Sequence, residues 1–239
     1  MTPLLAYHLA YVPAVLHAAS AVLCNSHATA REVHGRLRVP LKRLVTIPLG
    51  FHPGRLRPLG LERDPFLLVL GRHDPHKNLH RLLEAFAAVR DRELGLTFVG
   101  PQDRRFTPRL QRHARELGIE PRCRWMAWVS DTDRLELLNR CKALVIPSLW
   151  EGFGLPALEA MACGTPVIAA RAGALPEVVG DAAPLVDPRS VPAMTAAIED
   201  LLGSPALQSS CASRGPQRAG VFQWSAAASR VEDLLRSLA

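Results

Sequence analysis

The chain has 239 residues and a net charge of +7, and only 5% of its residues are aromatic. A chain of this length can form one large domain or two small ones, and would bury roughly 70–75% of its unfolded surface. The positive charge is nearly all arginine, which suits phosphate groups or anionic lipid headgroups. No basic run is interleaved with aromatic residues, so the composition argues against a nucleic-acid partner.

The cysteines are widely spaced, odd in number and without a C-x-x-C pair, and they predict reduced, mostly buried thiols in a cytosolic protein. They are Cys24, Cys123, Cys141, Cys163 and Cys211. The spacing of His73, His76 and His80 could suit a metal, but we predict no metal site from it.

Residues 1–26 carry no formal side-chain charge. Because Pro13 interrupts the run and no basic segment precedes it, we interpret it as buried structure rather than a signal peptide or membrane span. Ser26 is a candidate helix cap. The predicted elements here are a helix over Leu4–Ala18, a strand over Ala21–Cys24, a helix over Ala28–Leu37 and a strand over Arg43–Ile47. They form a βαβ-like fragment of a sheet.

A segment rich in proline and glycine, residues 48–65, has no hydrophobic period and predicts a linker. Strands and helices then alternate. The predicted strands are Phe66–Leu70, Leu96–Val99, Cys123–Trp125, Ala143–Ile146, Val167–Ala169 and Leu185–Val186. The predicted helices are Leu79–Arg92, Pro108–Leu117, Asp131–Arg140, Pro156–Cys163, Val191–Leu202, Ala206–Arg218 and a last one within Gln223–Ala239. This order predicts a doubly wound α/β domain with a parallel, Rossmann-like sheet and ligands at the carboxyl ends of its strands.

Two loops after predicted strands carry candidate ligand-binding residues. Gly71 permits a turn, and Arg72 and Lys77 flank the loop that follows, so both cations could converge on a diphosphate; solvated loop charges are the alternative. Val129 and Ser130 end another strand-to-helix turn, where Ser130 could simply cap the next helix with Asp133 as its reciprocal partner.

The third loop is the most informative. Gly152 and Gly154 let the backbone turn and lie against a ligand, and Pro156 suits the first position of a helix. The amides of residues 153–158, from Phe153 through Leu155 to Leu158, would then lie at a helix N-terminus, where an anion is favoured.

Two carboxylates flank this predicted anion site, Glu151 in the loop and Glu159 in the first helical turn. Acids beside an anion site are useful as hydrogen-bond acceptors for hydroxyl groups. Phosphate together with hydroxyls indicates a sugar nucleotide. For either glutamate alone, a solvated side chain or a favourable contact with the helix dipole is the simpler interpretation.

The stretch EGFGLPALEAMACGTPVIA resembles the E-x7-E signature of the family 4 (group 1) retaining glycosyltransferases, which have the two-domain GT-B fold. The resemblance implies that Gly71, Arg72 and Lys77 bind the donor phosphates and that the loop at Val129 and Ser130 lies near the nucleobase. It also implies that Glu151 orients the donor sugar, that Glu159 accepts from the ribose, and that no metal cofactor is needed. Catalytic roles would fall to Glu151, Arg72 and Lys77, and donor binding also to Gly152, Phe153, Gly154 and Leu155.

By the same resemblance the chain matches the C-terminal half of a GT-B enzyme. Residues 1–50 would be a remnant of the N-terminal acceptor domain, residues 51–222 the donor-binding domain, and residues 223–239 a helix that crosses back. Gly50 lies where the family has an Asn-Gly-Val-Asp turn, and this chain has Leu-Gly-Phe-His instead. In the loop 173–177, we interpret Glu177 first as a helix-start acid and second as a ligand contact.

The expected function is metal-independent transfer of a sugar from a GDP- or UDP-linked donor to the hydroxyl of a glycan or lipid-linked saccharide, as in bacterial polysaccharide assembly by mannosyl- or glucosyltransferases. One alternative is a non-catalytic donor-binding module with a separate N-terminal partner, and another is a GT-B phosphorylase or epimerase. The expected location is cytoplasmic, and the basic surface allows peripheral contact with an anionic membrane.

Overall fold

The structure is a computed structural model that describes residues 11–238. A short N-terminal part contains helix α1 (Val12–Ala18), strand β1 (Val22–Cys24), helix α2 (His27–Leu37) and strand β2 (Leu44–Thr46). The two strands pair in parallel, with Val22 opposite Leu44. The predicted βαβ-like fragment is therefore confirmed. The prediction that the first helix is buried is wrong for its described part, because α1 has no buried residue. The part of the predicted first helix before Tyr11 lies outside the described residues.

The main body is a six-stranded parallel sheet. Its strands are β3 (Asp64–Leu70), β4 (Gly95–Val99), β5 (Cys123–Met126), β6 (Cys141–Ile146), β7 (Val167–Ala170) and β8 (Leu185–Val186). Their spatial order is β5-β4-β3-β6-β7-β8, so the order reverses between β3 and β6. The doubly wound, Rossmann-like sheet is confirmed.

The helices of the main body are α3 (Leu79–Ala88), α4 (Thr107–Glu116), α5 (Asp131–Arg140), α6 (Leu155–Ala162), α7 (Leu175–Val179), α8 (Val191–Gly203), α9 (Pro205–Ala219) and α10 (Trp224–Leu238). The prediction for α3 ran four residues too far. Its chain turns to an extended conformation at Val89, whose side chain is buried, and this ends the helix.

Alternating residues of the strands pack into two separate cores, one on each face of the sheet. Leu67 and Val69 of β3 face a core that includes Leu82 and Phe86 of α3 and residues of α4 and α8. Leu68 of the same strand faces a second core with residues of α5, α6, α7 and α9. Burial on both faces explains why the central strands β3, β6 and β7 are largely apolar.

The linker meets the C-terminal helix at an isolated parallel bridge between Phe51 and Gln223. The proposed division of the chain near residues 50 and 222 stays a prediction. The five cysteines are free thiols, and four of them are buried. Within residues 11–238, no helix is long and apolar enough to cross a lipid bilayer.

Candidate functional site

The candidate site lies where the strand order reverses. Strands β3 and β6 are neighbours, and the chain leaves their carboxyl ends into the loops 71–78 and 147–154. Connections that diverge at such a point open a crevice, which is where ligands bind in open parallel sheets. The reversal therefore brings together two loops that lie about 75 residues apart in the sequence.

The centre of the site is an ion pair. Lys77 Nζ donates to Glu151 Oε1 at 2.6 Å, and the side chains are only 18% and 12% exposed. Ser148 Oγ donates to the same carboxylate oxygen at 2.7 Å. Glu151 thus has two hydrogen-bond donors, and Lys77 has a partner of opposite charge in a poorly solvated position. Ser148 was not selected from the sequence, although it directly follows the Pro147 that ends the apolar run of β6.

Arg72 lines the same space as Lys77 and Glu151, and the volume between these residues is only about 10 Å³. The Arg72 guanidinium pairs with Asp74 at 3.0 Å, and its side chain is 63% exposed. Gly71 directly follows β3, and its N–H donates to Val99 O at 2.9 Å. The structure brings the two predicted cations to one place, but each of them already has a carboxylate partner.

Helix α6 begins at Leu155, in the same loop-to-helix segment as Glu151. Gly154 is the residue before the helix, and its φ of 101° lies in the left-handed region that glycine adopts without strain. Pro156 lies in the first turn, as predicted. Within residues 11–238, no acceptor meets the backbone N–H groups of Phe153, Gly154 or Leu155.

The predicted run of free amides was too long at its C-terminal end. The N–H groups of Ala157 and Leu158 both donate to Gly154 O, at 2.9 and 3.3 Å. They are already used by the first helical turn, so they cannot face a ligand. The N–H groups that remain are those of residues 153–155, at the positive end of the helix dipole.

Glu159 lies one turn further along α6 and has a partner that the sequence did not suggest. Arg134 Nη1 donates to both of its carboxylate oxygens, at 3.0 and 3.3 Å. Arg134 Nη2 also donates to Asp131 at 3.2 Å. Burial raises the pKa of Glu159, and the Arg134 charge opposes that rise.

The pocket beside Glu159 is lined by α5, α6 and the linker. Its volume is about 150 Å³, and Arg55, Asp131, Arg134 and Leu155 are among its walls. Arg55 lies 3.8 Å from Asp131. Leu155 lines this pocket and also carries one of the free amides, so the pocket adjoins the N-terminus of α6. A larger cavity of about 350 Å³ lies against the sheet below α5, but no residue of the loops 71–78 or 147–154 lines it.

A second loop holds Glu151 by its backbone. The N–H of Ala174 donates to Glu151 O at 2.9 Å. Gly173 has a φ of 55°, and a Cβ there would lie 2.4 Å from the same carbonyl oxygen. Only glycine allows this approach, so the loop after β7 fixes the position of the loop after β6.

The remaining candidates have mainly structural contacts. Ser130 and Asp133 form the predicted capping box at the start of α5, and Val129 packs against the adjoining core. The buried His73 bonds Thr107 Oγ1 through Nδ1 at 2.8 Å and packs edge-on against Trp125. Within residues 11–238, no group of three or more potential ligand side chains could hold a metal ion.

Glu177 lies in the first turn of α7, as predicted, but its carboxylate contacts α2. It accepts from the N–H groups of His27 and Ala28 at 3.0 and 2.8 Å. The sequence gives no sign of this contact, which joins residues about 150 positions apart.

Residues 57–218 match the family described as glycosyl transferases group 1. The chain belongs to that family. The resemblance to group 1 glycosyltransferases that the sequence indicated is therefore confirmed. The match spans every strand of the main sheet.

Two curated relatives are mannosyltransferases by name. The chain is 35% identical over 221 residues to the MMP alpha-(1->4)-mannosyltransferase of Mycolicibacterium hassiacum, a match that covers 87% of this chain and 52% of that protein. It is 31% identical over 226 residues to O-antigen chain mannosyltransferase B of Escherichia coli, covering 87% of this chain and 58% of that protein. The chain spans only about half the length of these relatives.

Among solved structures, the sucrose-phosphate synthase of Thermosynechococcus elongatus superimposes with a TM-score of 0.85 and 27% identity. The match covers 95% of this chain and 60% of that one. The described fold is thus that of the matching part of a GT-B glycosyltransferase, as the sequence predicted.

Proposed function

We propose that this chain contains the donor-binding half of a retaining glycosyltransferase, which binds a nucleoside-diphosphate sugar at the loops after β3 and β6. The observation that carries the proposal is the buried Lys77–Glu151 pair together with the unpaired amides of residues 153–155, which follow Glu151 in the same loop. A buried cation next to a helix N-terminus suits a diphosphate, and a carboxylate beside it suits sugar hydroxyls.

In this proposal, donor binding opens the ion pair. The space that Arg72, Lys77 and Glu151 help to line holds only about 10 Å³, and a phosphate group takes the place of Glu151 as the partner of Lys77. The released Glu151 carboxylate, still fixed by Ser148, then accepts from hydroxyls of the sugar. Arg72 lies at the exposed edge of the space and contributes a second cation to the diphosphate.

The nucleoside lies on the other side of the α6 N-terminus in this proposal. Glu159 accepts from the ribose hydroxyls, and Arg134 keeps its carboxylate ionised and oriented. The loop at Val129 and Ser130 borders the base. Because Ser130 Oγ is engaged in the capping box, the contact with the base comes from the backbone rather than from this hydroxyl.

In the proposed reaction, the bond between the anomeric carbon and the diphosphate oxygen breaks, and its electron pair leaves with the nucleoside diphosphate. An acceptor hydroxyl oxygen forms the new bond on the same face, and its proton passes to the leaving diphosphate. Lys77, Arg72 and the free amides lower the barrier by stabilising the charge that develops on the leaving group. Fixed cations fill the role that a metal has in other transferases, so we propose a metal-independent reaction.

The names of the two curated relatives favour a mannosyl donor. We propose a mannosyl or related hexosyl donor linked to GDP or UDP, and a glycan or lipid-linked saccharide as acceptor. O-antigen chain mannosyltransferase B carries a polysaccharide product in its name. We therefore place the proposed reaction in polysaccharide or glycolipid assembly.

A nucleotide panel tests the proposal. Purified chain is heated with UDP, GDP, ADP or TDP, alone and with EDTA. A ligand at about a hundred times its dissociation constant adds roughly 2.7 kcal/mol of stability, which is easily measured. We expect one nucleotide to stabilise the chain in both conditions. Absence of stabilisation by all four would contradict donor binding by this chain, and stabilisation that EDTA abolishes would contradict metal independence.

Product analysis then separates the three candidate activities. The chain is incubated with the sugar linked to the stabilising nucleotide, with and without a saccharide acceptor. Transfer to the acceptor supports the proposal, whereas phosphorolysis or epimerisation of the donor supports the other GT-B reactions. Nucleotide binding with transfer only after addition of a separate acceptor domain supports a donor-binding module.

A further inference from the structure

Helix α2 lies against the loops of the candidate site and is held there by a carboxylate from α7. Glu177 Oε2 accepts from His27 N at 3.0 Å, and Oε1 accepts from Ala28 N at 2.8 Å. These N–H groups are the first two of the helix, where no intrahelical acceptor is available. A carboxylate at this end of the dipole is favourable, so Glu177 ties the two elements together.

A second tie joins α2 to the residue after Glu151. Thr29 Oγ1 donates to Gly152 O at 3.2 Å, and Ser26 Oγ donates to Thr29 Oγ1 at 3.0 Å. Ser26 is 2% exposed and also caps α2 by accepting from the N–H of Thr29. A chain of hydroxyls thus runs from the helix cap to the backbone of the donor loop.

A third contact joins α7 to the donor loop. Helix α7 carries Glu177, and the turn that starts α7 bonds Glu151 O through the N–H of Ala174. Leu175 and Val178 of α7 are fully buried, so this helix has little freedom to move. We call these three contacts the clasp: Glu177 to α2, Thr29 to Gly152, and Ala174 to Glu151.

We propose that Glu177 and Thr29 are positioning residues that hold the loop 151–154 in its ligand-binding conformation by docking α2 against it. The inference rests on the proposed function, because Glu151 and the free amides belong to that loop.

The clasp also makes docking and binding interdependent. If docking of α2 raises the affinity of the loop 151–154 for a nucleotide by some factor, then a bound nucleotide favours docking by the same factor. If α2 undocks, Glu177 loses its two N–H donors and Gly152 O loses its hydroxyl donor. Both losses destabilise the packing of α2 against the loop 151–154.

The test compares clasp variants with matched controls on the other side of the sheet. The clasp variants are Glu177→Gln, Thr29→Val and the double variant. The controls are Glu199→Gln and Thr195→Val, which remove the same kinds of bond elsewhere: Glu199 accepts from Arg90 N at 3.1 Å, and Thr195 Oγ1 donates to Ala85 O at 3.0 Å. Any general loss of stability should affect clasp and control variants alike.

Two quantities are measured: nucleotide affinity by calorimetry, and hydrogen exchange at the Ala174 amide, which bonds Glu151 O but touches neither mutated side chain of the clasp. We expect each single clasp variant to weaken nucleotide binding about fivefold, the factor for one lost hydrogen bond, and to speed Ala174 exchange similarly. The double variant should lose less than the product of the single effects. The controls should change neither quantity.

The two measurements separate the inference from the proposed function. If clasp variants bind nucleotide like the wild type and Ala174 exchange is unchanged, the positioning role is wrong. If the wild type binds no nucleotide but Thr29→Val still speeds Ala174 exchange, the clasp stands and the proposed function fails. Equal losses of nucleotide affinity in the clasp and control variants would mean that these substitutions act only by lowering general stability, and would overturn the inference.

Discussion

Replacing Lys77 with methionine keeps the length of the side chain and removes its charge. Lys77 is only 18% exposed, so solvent screens it weakly. Two unit charges 4 Å apart interact by about 4 kcal/mol at an effective dielectric constant near 20, and hydrogen bonds to charged groups contribute about 1.5–3 kcal/mol net. We take the smaller figure, because binding must first break the contact with Glu151. Lys77→Met should therefore weaken nucleoside diphosphate binding about 10- to 150-fold.

Replacing Glu151 with glutamine should have the opposite effect on the same ligand. In the unliganded chain Glu151 competes with the diphosphate for Lys77, at a distance of 2.6 Å. Removing its charge ends that competition, so the plain nucleoside diphosphate should bind several-fold more tightly. Binding of the sugar nucleotide and transfer should fall, because the acceptor for sugar hydroxyls is weakened.

Isothermal titration with the nucleotide that stabilises the wild type measures both effects, at low and moderate salt. Lys142→Met is the matched control, since Lys142 lies near the start of β6, at the amino end of the sheet. Wild-type affinity in Lys77→Met, or weaker diphosphate binding in Glu151→Gln, would refute the exchange of partners at Lys77.

Two further variants test the support of the site. Gly173→Ala should lower the free energy of unfolding by at least about 2 kcal/mol in urea, because its Cβ would meet Glu151 O at 2.4 Å in addition to the strain of a positive φ. Gly118→Ala, with a φ of 69° and open space, should cost only the strain, about 1 kcal/mol, and an equal loss in both variants would argue against the close approach. Arg134→Met should raise the pKa of Glu159 further, since Arg134 lowers it. The folded state then holds a proton that the unfolded chain releases, so stability should fall more steeply than in the wild type as pH rises above about 4.3, and parallel pH curves would contradict this.

The sequence predicts the sheet well because burial on both faces makes the central strands β3, β6 and β7 largely apolar. The helix bounds are reliable where local chemistry marks them. Ser130 and Asp133 form the capping box that starts α5, and the predicted bounds Asp131–Arg140 match the structure. The end of α3 could not be predicted, because tertiary burial of Val89 rather than a local stop signal ends the helix.

The motif also places the site at the correct edge, because strand order and loop position follow from the alternating pattern. It does not show how the charges pair when no ligand is bound. Arg72 pairs with Asp74, Lys77 with Glu151 and Glu159 with Arg134. The last two pairs join different elements, so no local spacing encodes them.

The most direct test is a crystal structure of the chain with the stabilising nucleoside diphosphate bound. We expect phosphate oxygens within hydrogen-bonding distance of Lys77 Nζ and of the N–H groups of residues 153–155, with the Lys77–Glu151 contact broken. A nucleotide bound in the cavity below α5, or at this site with that contact intact, would contradict it.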